Sequence, residues 1–400
     1  MKKILFISYF FPPIQSVEST MAVNSIKYLP DFSYNPVVIA AKRSQECGID
    51  QSGSPSIPEE ITVIRTFSWE NWFAKGLNKL GIIPDSVFGW WLSALVHSKE
   101  LMRKNNIEII ISRSNPVTSH LVALTLCKLY PNLRWVAMFG DPWSNNPYIL
   151  KPNALIKKFR HDIERSILSR ADKIIVTTTR TRDLFVRDHG FSEKIYILPN
   201  TYDPVEFDCL PAPSKLDISK IRFTYTGGFY GLRSPEPLFK ALRLLKTAGE
   251  FDSAGIEIRL VGSMGEFSDL ARRYKLEDIV QVIGVVPRRQ ALIELKQSDA
   301  LLLIDAPSIE PSIFLPAKLV DYLAIQKPIL GITPMGESAD LINATQSGVV
   351  VDPTDPEGIA GAIKQFIALY HQGKLSVPSR LDLIKQYSAP IYAQRLSSLL

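Results

Sequence analysis

Lys318 and Asp321 stand three residues apart within the apolar stretch 309–332, IEPSIFLPAKLVDYLAIQKPILGI. The stretch predicts a helix from about Pro316 to Ile325, followed by a buried strand. Residues three apart share a helix face, so an ion pair on a solvated face is one interpretation. Binding is the other, because a carboxylate at the carboxyl edge of a sheet can accept both ribose hydroxyls and a lysine can meet phosphate.

A glycine turn is the second candidate site. Gly227 and Gly228 follow the predicted strand IRFTYT and allow positive φ and close backbone approach. The next helix is predicted to start near Pro235 with Ser234 as its N-cap, and free N–H groups at a helix N-terminus suit phosphate. Arg233, just before this helix, can fork onto a diphosphate. A plain glycine-rich turn with an exposed arginine is the alternative.

The segment DPWSNNPY, after the predicted strand RWVAMFG, could serve a sugar. Asp141 stands at the end of this strand, in a loop that contains Pro142 and Pro147. A carboxylate can bind sugar hydroxyls, and the flat ring of Trp143 can cover sugar C–H groups. An Asp-Pro turn without a ligand is the alternative.

Helix capping accounts for the polar residues of the segment RSNPVTSHL. Ser114 or Asn115 is predicted to cap a helix that has Pro116 at its first position, and His120 is interpreted as a polar helix residue rather than a catalytic base. Two further turns follow strands of the second half, at Gly262 and at Gly284–Arg288. The second turn could place backbone groups along the edge of a nucleobase.

These residues need sheets that hold the turns at one edge. Apolar runs alternate with helical patterns along the chain, and continuous rather than alternating hydrophobicity is typical of parallel strands covered on both faces. We therefore predict two doubly wound α/β domains that face a cleft, at 1–205 and 216–385, with 199–220 as a linker and 388–400 packing back on the first domain. The runs are KILFISYF, NPVVIAA, ITVIRT, IEIIIS, RWVAMFG, KIIVTTT and IYILPN, then IRFTYTG, IEIRLVG, IVQVIG, ALLLID, PILGIT and GVVVDP.

Composition excludes several classes. The 400 residues carry a net charge of +6 and three scattered cysteines, which predict a reducing compartment and no disulfide framework. The basic, apolar N-terminus MKKILFISYFFPP lacks a small-residue cleavage site and is interpreted as a buried strand rather than a signal peptide. Apolar stretches fall short of the roughly 18 residues that span a bilayer, so we expect a soluble or peripheral protein. Motifs of dinucleotide oxidoreductases, P-loop NTPases, zincins and serine hydrolases are missing.

The order of these motifs resembles that of the family 4 glycosyltransferases of the GT-B fold, which has two Rossmann-like domains, and above all the bacterial enzymes of surface polysaccharide synthesis. The resemblance implies transfer of a sugar from a nucleoside diphosphate sugar to a hydroxyl of a glycan or lipid-linked glycan, with retention of configuration. It covers nearly the whole chain, through YFFPP, RSNPVTSHL, FGDPW, IERSILSRADKIIVTTT, ILPNTYD, YTGGFYG, VIGVVPR and PAKLVDYLAIQKPILG.

The resemblance also assigns residues. It implies that Arg233 and the glycine turn contact the donor diphosphate, that Asp321 holds the ribose, and that Gly284–Arg288 receives the base. We expect Arg233 and Lys318 to stabilise the leaving phosphate and Asp141 to orient or deprotonate the acceptor hydroxyl. The expected donor residues are Gly227, Gly228, Gly262, Val286, Pro287, Glu310 and Asp321, and the expected acceptor residues are Gln15, Ser16 and Trp143.

The chain departs from the family pattern at several positions. Ile313 stands where the family has a second acid, with Glu310 as the nearest substitute, while Asp321 replaces glutamate and Gln326 replaces glycine. The segment Ile14-Gln15-Ser16 replaces a usual glycine pair. Two alternatives follow: a GT-B nucleotide-sugar 2-epimerase, which needs no acceptor, and a catalytically silent sugar-nucleotide-binding subunit.

The expected partners are the donor and the acceptor, with no cofactor, no metal and no nucleic acid. Residues 68–95 contain four tryptophans and two lysines, a combination typical of a bilayer interface. We therefore expect a cytoplasmic enzyme with a peripheral contact to the inner face of the plasma membrane, and a buried helical hairpin is the alternative. The six residues are Trp69, Trp72, Lys75, Lys79, Trp90 and Trp91.

Overall fold

The computed structural model describes residues 1–43, 47–49, 56–69, 76–78, 83–146, 154–214, 219–249, 255–378 and 380–400. Trp72, Lys75, Lys79 and Pro147 lie outside these ranges. The chain divides into two compact units. Unit 1 comprises Met1–Thr201 and Ser388–Leu400, and unit 2 comprises Tyr202–Tyr387.

The described part of unit 1 contains a seven-stranded parallel sheet in the order β3-β2-β1-β4-β5-β6-β7. Its first strand is fully buried from Ile4 to Ile7, which confirms the prediction of a buried strand at the N-terminus. All seven apolar runs predicted for the first half form strands: β1 Lys2–Ile7, β2 Tyr34–Ala41, β3 Thr62–Thr66, β4 Ile109–Arg113, β5 Arg134–Met138, β6 Lys173–Val176 and β7 Ile195–Ile197.

Helices cover both faces of this sheet. Along β1, Leu5 and Ile7 enter one hydrophobic cluster while Ile4 and Phe6 enter another. Continuous hydrophobicity along the strand follows from this, since neither face meets water. The helices of the first stretch of unit 1 are α1 Val17–Ile26, α2 Trp91–Asn105, α3 Thr118–Leu129, α4 Ala154–Arg170 and α5 Thr179–His189.

The cap of α3 differs from the prediction. Neither Ser114 nor Asn115 caps this helix, because it begins two residues after Pro116, at Thr118. The carboxylate of Asp85 takes that role: one oxygen accepts from the Thr118 N–H at 2.8 Å and the other from its hydroxyl at 2.7 Å. A cap supplied from 33 residues away leaves no local signature in the sequence.

Unit 2 carries a six-stranded parallel sheet within its described residues, in the order β10-β9-β8-β11-β12-β13. Its strands match the six predicted runs, and Leu301 and Leu303 face one cluster while Leu302 and Ile304 face the other. The doubly wound α/β class is therefore confirmed for both units. The strands are β8 Ile221–Thr226, β9 Ile256–Val261, β10 Val280–Gly284, β11 Ala300–Ile304, β12 Ile329–Ile332 and β13 Gly348–Val351.

The predicted linker 199–220 is partly helical. A short helix begins at Pro204, and the side chain of Asp203 caps it by accepting from the Val205 N–H at 3.2 Å. The pair Asp-Pro is a helix start as much as a turn, so composition alone misjudged this segment. The helices of unit 2 are α6 Pro204–Asp208, α7 Glu236–Ala248, α8 Leu270–Arg273, α9 Arg288–Lys296, α10 Ala317–Ile325, α11 Glu337–Ala344, α12 Pro356–His371 and α13 Leu381–Ile384.

The last helix, α14 Ala389–Ser397, belongs to unit 1. Tyr392, Ala393 and Leu396 are buried in the same cluster as Val23 and Ile26 of α1. No helix in the described ranges is long and apolar enough to cross a membrane.

Candidate active site

Glycine turns bring neighbouring strand ends of unit 2 into close contact. Gly227 follows β8 with φ of +117°, and Gly262 follows β9 with φ of +136°. A Cβ atom at Gly262 would overlap the carbonyl oxygen of Gly227, and one at Gly227 would lie 2.5 Å from Nζ of Lys318. Both positions therefore require glycine, and the backbone at the end of β8 lies directly against a cationic side chain.

Lys318, in the first turn of α10, points back towards β8. Its Nζ donates to the Tyr225 hydroxyl at 2.7 Å and lies 3.9 Å from the centre of that ring. Burial lowers the pKa of Lys318 well below its usual range, Arg233 lowers it further, and Asp305 acts in the opposite direction. An anion placed beside Nζ would favour the charged form, so the group is suited to bind phosphate.

Arg233 lies within the same group of side chains. One of its terminal nitrogens donates to the Tyr230 hydroxyl at 3.2 Å, and the other lies 3.5 Å from Oδ1 of Asp305. Asp305 follows β11, is 4% exposed, and accepts from the Thr333 hydroxyl at 3.0 Å. We call Tyr225, Arg233, Asp305 and Lys318 the Lys318 cluster. It brings together two of the predicted catalytic residues, and the sequence analysis missed Tyr225 and Asp305.

Asp321 faces a different partner from Lys318, which makes the interpretation of these two residues as an i,i+3 ion pair wrong. Its Oδ2 and Oδ1 each accept from Arg288 at 3.0 Å. Arg288 also donates from Nε and a terminal nitrogen to Glu206, at 3.1 and 2.9 Å. Burial lowers the pKa of Arg288, but the carboxylates of Asp321 and Glu206 outweigh burial and raise it. The ribose contact of Asp321 stays a prediction.

The other predicted donor residues are spread over neighbouring loops of unit 2. Gly228 continues the turn after β8, while Val286 and Pro287 lie between β10 and α9. Glu310 is exposed in the loop after β11, and among the described residues its carboxylate makes no ion pair with the Lys318 cluster. The donor-sugar contact of Glu310 stays a prediction.

In unit 1, Asp141 and Trp143 lie in the loop after β5. Asp141 is partly exposed, whereas Trp143 is 8% exposed and has the Arg160 guanidinium 5.8 Å from its ring centre, so little of this ring is open to a ligand. The carboxylate of Glu164 holds the loop by accepting from the N–H groups of Trp143 and Ser144 at 2.9 and 3.2 Å. Asp141 therefore stands on a loop anchored from α4.

The other predicted residues of unit 1 lie near the start of α1 and in α3. Ser16 caps α1 by accepting from the Ser19 N–H at 3.0 Å, and the N–H of Gln15 donates to Gly48 at 2.8 Å. His120 is fully buried, with Nδ1 2.7 Å from the Ser112 hydroxyl. Burial lowers the pKa of His120 to about 3, so it remains neutral. Its position agrees with the interpretation as a helix residue.

Beside Asp141 the structure places an acid that the sequence analysis missed. Glu18, in the first turn of α1, lies 3.5 Å from the guanidinium of Arg113 at the end of β4. Burial raises the pKa of Glu18 to about 7, with Arg113 acting to lower it and Asp141 to raise it. A signal was available, since Glu18 follows the predicted acceptor residues by two positions.

No group of three or more His, Cys, Asp or Glu side chains in the described ranges could hold a metal ion. That the reaction needs no metal stays a prediction.

Two family models cover most of the chain. Residues 21–206 match the model described as Glycosyltransferase Family 4, and residues 214–385 match that of Glycosyl transferases group 1. The sequence matches none of the curated proteins.

Solved structures share the fold over the whole chain at low identity. Sucrose-phosphate synthase from Thermosynechococcus elongatus has 16% identity and a TM-score of 0.73, with 100% of this chain and 98% of that chain covered. A glycosyltransferase from Rickettsia africae has 18% identity and a TM-score of 0.68, with 100% of this chain and 97% of that chain covered. HepE from Anabaena, in complex with UDP-glucose, has 13% identity and a TM-score of 0.68, with 100% of this chain and 99% of that chain covered. The two parallel-sheet, Rossmann-like α/β units match the GT-B fold of these structures.

Proposed function

Because the chain belongs to the glycosyltransferases, with a family 4 domain followed by a group 1 domain, we propose that it transfers a sugar from a nucleoside diphosphate sugar to a glycan or lipid-linked glycan. The transfer retains the anomeric configuration and serves the synthesis of a cell-surface polysaccharide. The observation that carries the donor assignment is the Lys318 cluster, where two cationic side chains adjoin a glycine turn at the carboxyl edge of a parallel sheet.

Departure of the nucleoside diphosphate leaves negative charge on the β-phosphate. Arg233 and Lys318 stabilise this charge, and because they are partly buried and held by Asp305 and Tyr225 they need little reorganisation to do so. Without a bound anion, burial first and the nearby Arg233 second lower the pKa of Lys318. A diphosphate beside the two side chains would favour their charged forms. Asp141, in unit 1, orients the acceptor hydroxyl.

A thermal-shift screen with UDP-, GDP- and ADP-glucose tests the donor assignment. The structurally similar HepE forms a complex with UDP-glucose, so UDP-glucose is the first donor to test. We expect one of the three to raise the melting temperature, since a ligand that binds only the folded state stabilises it. A protein that none of them stabilises would contradict the proposed function.

The variant Arg233→Ala tests the proposed stabilisation of the leaving phosphate by Arg233 and Lys318. We expect turnover of the bound donor to fall by about 100- to 1,000-fold, the loss typical of a removed electrostatic donor. Arg272→Ala, at an arginine that is 75% exposed in the same unit, is the matched control and should leave turnover unchanged. Donor binding without transfer to any acceptor would support the silent subunit instead, and a donor whose sugar is converted without acceptor would support the epimerase.

The acceptor is proposed to be lipid-linked, with unit 1 touching the inner face of the plasma membrane. Trp69 is 67% exposed, and Leu92 and Val96 of α2 are 62% and 54% exposed on one face of that helix. Lys99 and Arg103 continue the same side of α2 at helical spacing. Exposed apolar side chains next to cations fit a surface of anionic lipid.

Sedimentation with phosphatidylcholine vesicles, with and without phosphatidylglycerol, tests this contact. We expect binding only to the anionic vesicles, weakened by salt because exposed charges are screened. Leu92→Ser with Val96→Ser should abolish it, whereas Leu155→Ser, at an 80% exposed position of α4, should not. Equal binding by both variants would contradict the assignment of this face.

A further inference from the structure

Three charged side chains meet at the carboxyl edge of the sheet in unit 1. Glu18 comes from the first turn of α1, Arg113 is the last residue of β4, and Asp141 follows β5. Strands β1, β4 and β5 are neighbours in the sheet, so the segments after them share one edge. That edge is where open α/β sheets bind ligands.

The carboxylate of Glu18 is only partly satisfied by the protein. Its Oε2 is buried and accepts no hydrogen bond from the described residues, and its nearest cation, a terminal nitrogen of Arg113, is 3.5 Å away. Buried polar atoms are usually hydrogen-bonded, and a catalytic role is one of the explanations for an exception. The side chain as a whole keeps 25% of its surface exposed, although its Oε2 is buried.

Gly140 leaves the space beside this carboxylate open. A Cβ atom there would lie 3.6 and 3.7 Å from the two oxygens of Glu18. The carboxylate therefore lies next to the backbone that leads directly into Asp141. Two acids and one cation meet here, and in the part of the chain described these are the charged groups that act on Glu18.

Burial first, and the neighbouring charges second, set the proton affinity of Glu18. Burial raises its pKa to about 7, Arg113 counteracts the rise, and Asp141 adds to it. A base that is to work at neutral pH functions best with such a value, because it is then both partly deprotonated and basic enough to hold a proton.

We propose that Glu18 is a catalytic residue that accepts the proton of the acceptor hydroxyl. As the acceptor oxygen bonds to the anomeric carbon of the donor, the O–H proton moves to the Glu18 carboxylate. The bond from that carbon to the β-phosphate oxygen breaks, its electron pair stays on the phosphate, and the proton then leaves Glu18 for solvent. Arg113 fixes the carboxylate, and Asp141 orients the hydroxyl. This inference rests on the proposed function.

The pH profile of Glu18→Gln tests the proposal. The donor is whichever of UDP-, GDP- and ADP-glucose gives the largest thermal shift, and its release of nucleoside diphosphate with water as acceptor is followed from about pH 5.5 to 8.5, a range that brackets the pKa of a base working near neutrality. In the natural protein we expect kcat/KM to fall about tenfold for each pH unit below about 7. In the variant we expect a flat profile, lower by roughly 100- to 10,000-fold at about pH 8 and converging with the natural protein at low pH.

Two further variants separate chemistry from structure. Glu18→Asp keeps a carboxylate on a shorter side chain, so kcat/KM should still fall at low pH, at a reduced overall rate. This variant serves as the test if the glutamine variant does not fold. Glu357→Gln, in the first turn of α12 in unit 2, is the matched control and should behave like the natural protein.

Two results would overturn the role of Glu18. One is a glutamine variant that keeps the natural acid limb, at full rate or at a rate reduced equally at every pH. The other is a loss of donor affinity in that variant, measured by calorimetry, because Glu18 lies in unit 1 and the donor site is assigned to unit 2. If instead the natural protein binds none of the three donors, the proposed function itself fails.

Discussion

Gly227 and Gly262 follow neighbouring strands of unit 2, and at each of them another group of the protein occupies the space that a side chain would take. Because Gly262 has no side chain, the carbonyl of Gly227 can pack against it. Because Gly227 has none, the amine of Lys318 can lie against its backbone. The amine can therefore approach the backbone closely at the end of β8. Any larger residue at either position moves the lysine or the turn.

Gly262→Ala should lower the free energy of unfolding by at least about 2 kcal/mol, because it adds a clash to a positive φ that alanine rarely adopts. Urea unfolding followed by fluorescence measures the change. Gly361→Ala is the control, since this glycine lies inside α12 with no atom within 4 Å of the added Cβ. It should stabilise the protein by about 0.5–1 kcal/mol. A tolerated Gly262→Ala with unchanged donor affinity would contradict the close-contact argument.

Single residues could be predicted where their neighbours in sequence define them. Gly227 and Arg233 were found because a glycine pair and a basic residue sit between a strand and a helix. Tyr225 and Asp305 were missed because each lies at or near the end of a run that looks like core. Glu18 was missed because what distinguishes it is a contact with Arg113, far along the chain from it.

At the scale of elements, one guanidinium joins three helices of unit 2. Arg288 begins α9 and contacts Asp321 of α10 and Glu206 of α6. The Arg288 side chain is 18% exposed and the two carboxylates 10% or less, so removing the cation would leave two buried negative charges. The loop before α9, which carries Val286 and Pro287, is thereby fixed relative to α10.

Arg288→Met should destabilise unit 2 by about 3–5 kcal/mol, the usual cost of leaving a buried charge without its partner. Adding Glu206→Gln should recover part of this loss, because one of the two uncompensated charges is gone. Arg380→Met, which breaks an exposed pair with Asp382, is the control and should cost less than about 1 kcal/mol. The midpoint of urea unfolding distinguishes these cases. Equal effects of the two methionine variants would show that the buried pair is not structural.

The elements themselves were largely predictable. Every apolar run proposed as a strand is a strand, since a strand covered on both faces needs apolar residues at each position, a strong local signal. The cap of α3 and the helix within the predicted linker were not found. The first depends on Asp85, far away in sequence, whereas the second begins at an Asp-Pro pair that fits a turn as well as a helix start.

At the scale of the whole molecule, the last residues of the chain complete unit 1. Tyr392 and Leu396 are 4% and 0% exposed, in a cluster shared with β1 and α1. The sequence predicts this return but does not decide it, because the pattern of an amphipathic helix indicates that it packs and leaves its packing partner undefined.

Leu396→Ala should lower the melting transition of unit 1 and leave that of unit 2 in place. A buried leucine cut to alanine costs about 2–5 kcal/mol, and the loss falls on the unit whose core contains it. Differential scanning calorimetry, with a donor sugar added to mark the transition of unit 2, separates the two. Gln394→Ala, on the exposed side of the same helix, should change neither transition. A shift confined to unit 2 would contradict the assignment of α14.

Because unit 1 takes part of its interior from residues 388–400, its two pieces are made at different times on the ribosome. The strands of unit 1 emerge from the ribosome first. The apolar surface that α14 covers stays exposed until all of unit 2 has been synthesised. Domains usually mature in the order in which they are translated. Here the half that is translated later can close its own sheet first, and the earlier half finishes last.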